Sequence, residues 1–376
     1  MNKKLIAAAL AGAFAAPVAM ADVTIYGFIS AGVEYAQATG GVDKTTGLAV
    51  KDSDQYKGRV RIQNENSRIG FKGGEDLGNG LKAVWQVEQA VAVDDSAAGS
   101  GAGAWATRNS FVGLQGGFGE VRLGKHDDAY KVIGDSVGLN VMTNTSADNA
   151  WGNTTYGRGG NRRNNTALYL SPVFSGFQFA ASYSADEQRS YVNTNERTNT
   201  SVYGGGVKYS ANGLAASLGY NHVDDAANLY TPAASDKTSG NKLNAYMANI
   251  AYKFGDATLG AGYEYIDYDT YKQDSWTVVG GYQFGAFGLK ASYTMLGKAK
   301  DMNSKVFSDS DYKANQWLLG ATYDLSKRTQ VIAYATQIDN KKAAMTNFGS
   351  GNALNSSANT VGTDPQAYGL ALKHSF

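Results

Sequence analysis

From residue 22 onward, hydrophobic and polar side chains alternate with a period of two along most of the chain. This is the pattern of strands whose two faces meet different surroundings. Val23, Ile25, Ile29, Ala31, Val33 and Tyr35 share one face of the first such segment, with Thr24, Ser30 and Glu34 on the other. Leu81, Ala83, Trp85 and Val87 alternate with Lys82, Gln86 and Glu88, and Leu289, Ala291, Tyr293 and Met295 with Lys290, Ser292 and Thr294. Predicted connections alternate in length. Short, mostly Gly-rich ones lie at 73–80, 115–119, 172–176, 210–213, 255–256, 285–288 and 326–328. Long polar ones lie at 36–57, 89–105, 126–164, 185–200, 222–242, 267–274, 296–314 and 338–365. Eight long and seven short connections separate sixteen strands. The last strand carries Tyr368, Leu370, Leu372 and Phe376 on one parity and Lys373 and Ser375 on the other, and is predicted to pair with the first.

A soluble β-sandwich would bury its apolar face, whereas here Tyr209, Tyr220, Tyr252, Phe254, Tyr282, Phe284 and Phe287 gather near turns. Aromatic girdles and spans of about 9–11 residues belong to a barrel in lipid. Closure leaves no unpaired strand edge, which hydrocarbon would penalise. The predicted fold is therefore all-β: a transmembrane antiparallel β-barrel of sixteen strands, with long extracellular loops and short periplasmic turns.

Composition narrows the function. The 376 residues include no cysteine, four prolines, 46 glycines and 24 tyrosines, with a net charge of +1. Thiol chemistry and thiolate metal sites are excluded, and the charge balance points away from nucleic acid. Asn2, Lys3 and Lys4, an apolar stretch from Leu5 to Val18, and Ala19-Met20-Ala21 read as an export signal cleaved after Ala21. Residues 22–376 then form a single barrel domain.

The stretches at 22–35 (DVTIYGFISAGVEY), 67–87 (SRIGFKGGEDLGNGLKAVWQV), 109–124 (NSFVGLQGGFGEVRLG), 170–183 (LSPVFSGFQFAASY) and 368–376 resemble the general diffusion porins of Gram-negative bacteria, above all the trimeric beta-proteobacterial and neisserial type. The resemblance implies a homotrimer in the outer membrane, a water-filled channel for passive diffusion of ions and small hydrophilic solutes, and a third long loop, here 126–164, folded inward to narrow the pore. It implies neither cofactor nor bound metal.

Selectivity in such a channel comes from charge facing the lumen. Arg68 and Lys72 lie opposite Ile69 and Phe71, Lys82 opposite Leu81 and Ala83, and Arg122 between Val121 and Leu123. Arg108 precedes the strand holding Phe111, Arg162 and Arg163 stand where the long loop re-enters the wall, and Arg59 and Arg61 are weaker candidates near the mouth. The resemblance carries a basic-ladder role to Arg68, Arg108 and one of Arg162 or Arg163. Asp127, Asp128, Asp135 and Asp148 are the acidic candidates facing them on the loop. The expected preference is for anions. A substrate-specific channel is the alternative, with Tyr26 and Phe28 as the aromatic positions at polar parity. Enzymatic activity is not expected, because the only histidines, His126, His222 and His374, stand without a nucleophile motif.

Overall fold

Asp22–Asp43 forms one long strand, β1, whose neighbours on both sides show how the sheet closes. The structure is a computed structural model that describes residues 22–51, 55–94, 104–151, 154–187, 189, 191–193, 196–226, 240–349, 352–354 and 359–376. The export signal at 1–21 and most of the 226–240 connection lie outside the described residues.

Along one edge β1 pairs with β2 (Tyr56–Asn64) through its upper half and with β3 (Arg68–Gly78) through its lower half. These are two halves of one wall strand, interrupted at Glu65, Asn66 and Ser67, where Asn66 takes a φ of 54°. The wall continues through β4 (Leu81–Ala90), β5 (Ser110–Gly116), β6 (Gly119–Asp127), β7 (Arg162–Leu170), β8 (Phe177–Ser184), β9 (Val202–Ala211), β10 (Leu214–Asp224) and β11 (Lys242–Phe254). It is completed by β12 (Ala257–Tyr268), β13 (Tyr271–Phe284), β14 (Phe287–Leu296), β15 (Ala314–Asp324), β16 (Thr329–Asn340) and β17 (Thr360–Ser375). β17 returns to β1 from Phe28↔Ser375 to Asp43↔Thr360. The result is a closed antiparallel barrel of sixteen strands, with the terminal pairing expected from the sequence. No helix among the described residues is long and apolar enough to cross a membrane.

The outer face carries the apolar parity: Val33, Leu218, Ile250, Leu259, Val278, Leu319 and Leu370 are all exposed. Tyr252, Phe254, Tyr282, Phe284 and Phe287 ring the short-turn end. Tyr183, Tyr203, Tyr246, Trp276 and Tyr293 form a second exposed ring about eight residues up the strands, roughly 27 Å at ~3.4 Å per residue. Tilt shortens that rise to the ~25 Å apolar band of an outer-membrane barrel.

Several predicted loop boundaries are corrected. β1 runs on to Asp43 and β17 starts at Thr360, and the connection expected at 267–274 is a tight turn in which Tyr268 pairs with Tyr271. Above the bilayer water replaces lipid, so the outward face need no longer be apolar and the alternation that marked the strands fades. There the inner face is packed instead, as Ala36 and Ala38 with Phe348 and Leu354, and Tyr268 and Tyr271 with Leu243 and Tyr312.

The chain between β6 and β7 turns into the lumen through α1 (Ala129–Asp135). Its seat on the facing wall is made of small residues at lumen parity. A Cβ on Gly219 would come within 3.1 Å of the Tyr130 ring, and one on Gly320 within 2.6 Å of Met142 Sδ. Tyr130 and Ile133 of α1 are fully buried, among Met247 and Ala245 on one side and Leu168 and Ala180 on the other. The barrel therefore holds most of a hydrophobic core inside its lumen on the β8–β17 side, and the constriction charges gather on the β3–β7 side.

Candidate pore constriction

Two buried carboxylates fasten the inward segment, residues 128–161. Asp128 caps α1 by accepting from Lys131 N at 3.0 Å. It also accepts from Asn161 N at 2.9 Å and Asn221 Nδ2 at 3.2 Å, and pairs with Arg163 Nε at 3.5 Å, so one side chain ties both ends of the segment to the wall. Glu264 on β12 accepts from the Tyr130 hydroxyl at 2.8 Å and from the amides of Arg158 and Gly159 at 2.9 and 3.0 Å. Asn149 Nδ2 reaches Thr277 and Thr294, and Thr155 donates to Gln316 Oε1 at 2.8 Å. The tip is closed on Asp148, which accepts from Asn140 Nδ2, Asn144 N and Ala150 N. Burial pushes the Asp148 carboxyl above the usual carboxylate range, against the pull of those donors.

The polar wall faces this tip. Arg108 Nε lies 2.5 Å from Glu88 Oε1, while the Tyr26 hydroxyl donates to Glu88 Oε2 at 3.0 Å. Arg68 stands 4.0 Å from the same carboxylate and donates to the Asn144 side chain, bridging wall and tip. Arg162 Nη2 lies 3.2 Å from Asp127 Oδ1, and its Nε donates to Asn109 Oδ1 at 2.6 Å. Arg108, Asp127, Lys131, Asn144 and Arg162 line a shared opening of about 170 Å³. The three arginines thus meet Glu88 and Asp127, while Lys131 pairs with Asp135 at 3.5 Å and Asp148 completes the lining. Each arginine is partly solvent-exposed, so its charge acts on passing ions as well as on its partner.

What decides the family is the sequence profile: that of the Gram-negative porins matches residues 7–343. The chain belongs to the Gram-negative porin family. Among relatives of the porin, the major outer membrane protein P.IB of Neisseria meningitidis serogroup B is 33% identical over 350 residues, covering 89% of this chain and 92% of the relative. The protein of the same name from Neisseria sicca is 34% identical over 356 residues, covering 89% and 93%. Among solved structures, the anion-selective porin from Comamonas acidovorans superposes with a TM-score of 0.69 at 24% identity, covering 95% of this chain and all of that one. OmpF of Salmonella typhi, solved with daunomycin, superposes with a TM-score of 0.63 at 17% identity, covering 94% and 97%. The porin is accordingly an outer-membrane channel for passive diffusion.

Of the basic candidates, Arg68, Arg108 and Arg162 come together at the opening of the porin. The alternative between Arg162 and Arg163 is separated spatially, because Arg163 turns to the buried Asp128. Lys72 lies over the Tyr26 ring at 5.2 Å, on the short-turn side. Arg122 is also on that side, held by Glu120 at 2.7 Å and His126 Nε2 at 2.8 Å. Lys82 pairs in register with Asp76 beside the hairpin turn, away from the narrow zone. Arg61 is bound to Glu34 at 2.6 Å, and Arg59 covers the Tyr56 ring. Among the acids, Asp127 lines the opening. Asp128 is fully buried and faces the loop ends, and Asp135 ties Trp151 Nε1 and Lys131 on α1. Asp148 lines the opening while pinning the tip. Tyr26 and Phe28 do face the lumen, but cations cover both rings.

Sequence reasoning passed over Glu88, Asn109, Asn144, Glu264, Lys290 and Lys373. Glu88, Lys290 and Lys373 stand at polar parity in strands already recognised, so the alternation alone contained that signal. Asn144 had none, since its position depends on how the loop folds back.

Proposed function

We propose that this porin passes small anions in preference to cations, with Arg68, Arg108 and Arg162 raising the local anion concentration at the narrowest zone. The observation that carries the reading is the grouping of those three arginines on one wall around Glu88 and Asp127, while Asp135 is taken up by Lys131 and burial pushes Asp148, the other carboxyl at the opening, above the usual carboxylate range. Residues 126–164 are the selectivity-setting loop, and residues 1–21 a signal removed on export. A structural neighbour titled an anion-selective porin supports the same direction. The porin acts as a homotrimer, in accord with a neighbour described in trimer form. The seam is the outward strip where Val33, Tyr35, Leu319, Ala321, Tyr368 and Leu370 border a shallow apolar depression spanning the first and last strands.

The test is the reversal potential of purified protein in planar bilayers across a potassium chloride gradient. The wild type is expected to reverse on the chloride side, and R108Q/R162Q to move toward potassium. A potassium-favouring wild type would overturn the proposal. Native-state mass measurement in detergent tests the trimer, and a monomer would refute that part.

A further inference from the structure

On the short-turn side of the loop tip, the lumen holds a second recess, of about 120 Å³, lined by Phe28, Ser30, Glu65, Asn144, Lys290 and Lys373 among others. Lys373 Nζ lies 4.4 Å from the centre of the Phe28 ring, and the Arg68 guanidinium 4.7 Å from the same ring. Lys373 feels the charges of both Arg68 and Lys290, so three cations are held within electrostatic reach of one another. Among the described residues, neither lysine forms an ion pair with a carboxylate. Glu88 stands 4.0 Å from Arg68 and Asp324 acts on Lys290 from beyond ion-pair distance, but the two lysines, left without an ion pair, repel each other unless an anion lies between them.

Two further features point to a ligand. Ser30 lines the recess, and its buried hydroxyl has no hydrogen-bond partner among the described residues. The carboxyl in the lining is neutral by proton counting. The Tyr334 hydroxyl lies 2.6 Å from Glu34 Oε2 and 2.7 Å from Glu65 Oε1, yet has one proton to donate. One of these contacts therefore needs a proton on the carboxyl. Glu34 is the ion-pair partner of Arg61, which leaves the proton to Glu65. Glu65 then adds no negative charge to the recess.

We propose that Lys290 and Lys373, with Arg68 and the Ser30 hydroxyl, form a second station that binds small divalent oxyanions of the sulfate and phosphate class after they pass the constriction. A water needs only ~10–15 Å³ of such cavity space, so the recess has room for one tetrahedral dianion with residual water. The proposal rests on the anion-favouring reading and goes beyond it by naming a ligand class and a locus that shares only Arg68 among its cations with the constriction.

The experiment measures block of single-channel chloride current by sodium sulfate added on the short-turn side, with sodium methanesulfonate as the monovalent comparison. Sulfate is expected to block saturably and methanesulfonate at least tenfold more weakly. K290Q/K373Q is expected to raise the half-blocking sulfate concentration at least tenfold while still reversing on the chloride side. R108Q/R162Q is expected to shift the reversal potential but change the block less than threefold. Open single channels of near wild-type conductance establish that each variant is folded, and S30A, which removes only the hydroxyl, is expected to weaken block without changing conductance. Equal block in wild type and K290Q/K373Q, or loss of block only in R108Q/R162Q, would overturn the second station. The wild-type reversal potential separately decides the anion-favouring reading.

Discussion

Removing the Glu264 carboxylate should free the constriction segment without unfolding the barrel. In E264A, three buried donors of the inward segment lose their acceptor, the Tyr130 hydroxyl and the amides of Arg158 and Gly159, besides a long 3.5 Å contact from the Ser275 hydroxyl of the wall. A buried donor left unpaired costs about 1–3 kcal/mol. Water in the lumen can reach the cut site, so the low end applies, and the loss is about 3–5 kcal/mol for the three. None of those donors belongs to the barrel ladder, where β12 keeps its pairings with β11 and β13. The loss falls on the docking of residues 128–161, which then opens as a local unit. A shift of this size is enough to make an undocked state substantially populated. Single-channel recording should show a larger, noisier conductance with weaker ion selectivity. E264Q, which keeps one acceptor oxygen but turns the other position into a donor, should lie between the two. A quiet channel of wild-type conductance and selectivity in E264A would refute the assignment of Glu264 as the latch.

Other outcomes follow from the same geometry. R108Q removes one of three arginines; a unit charge at ~5 Å in water is worth about 0.8 kcal/mol, so the local anion concentration should fall roughly fourfold at low salt, lowering the anion preference, and the difference should shrink toward 1 M as the screening length drops to about 3 Å. A reversal-potential difference that did not depend on salt would contradict a through-lumen charge effect. Burial holds the Asp148 carboxyl above its ordinary range, so its protonated form favours the docked tip. Docking should be most secure in acid and loosen as pH rises through the raised value, giving channel noise that grows with pH, whereas D148N should show no such trend. G320V places a side chain where Met142 Sδ would be 2.6 Å from the Cβ, so it should displace the tip and raise conductance while leaving the heat-resistant folded band on a gel. Deleting residues 361–376 strips β1 of its partner along the closing seam; each open group in lipid costs several kcal/mol, and no folded barrel should form.

The parts of the molecule that were legible beforehand share one cause. In the bilayer, each strand has lipid on one side, and that uniform solvent writes itself into every second residue. Val33, Leu259, Leu319 and Leu370 could thus be placed on the outer face one strand at a time, and closure followed because an open edge is untenable in hydrocarbon. Where the surroundings change, the code changes: β1 beyond Tyr35 and the strand ends beside the turn at Asp269 and Thr270 look like loops in the sequence, because water outside the strands no longer demands apolar residues. The lumen has no uniform solvent at all. Its β9–β16 side meets the body of the folded loop and so carries Gly219, Met247 and Gly320, while the β3–β7 side presents its charges to the opening.

For the constriction, parity identified which charges can point inward, and Arg68 and Arg122 both satisfied it. Height along the strand and the company of other side chains then separated them, with Arg68 joined to Glu88 and Asn144 and Arg122 to Glu120 and His126. Adjacent residues Asp127 and Asp128 diverged for a similar reason: the chain turns inward between them, so one lines the opening and the other caps α1 in the protein interior. The sequence by itself determined the barrel, its strand number and its outward face, because lipid acts on each residue independently of its distant neighbours. Only the tertiary structure decided which charges oppose one another across the pore, because that depends on where a loop of more than thirty residues comes to rest against strands remote in sequence.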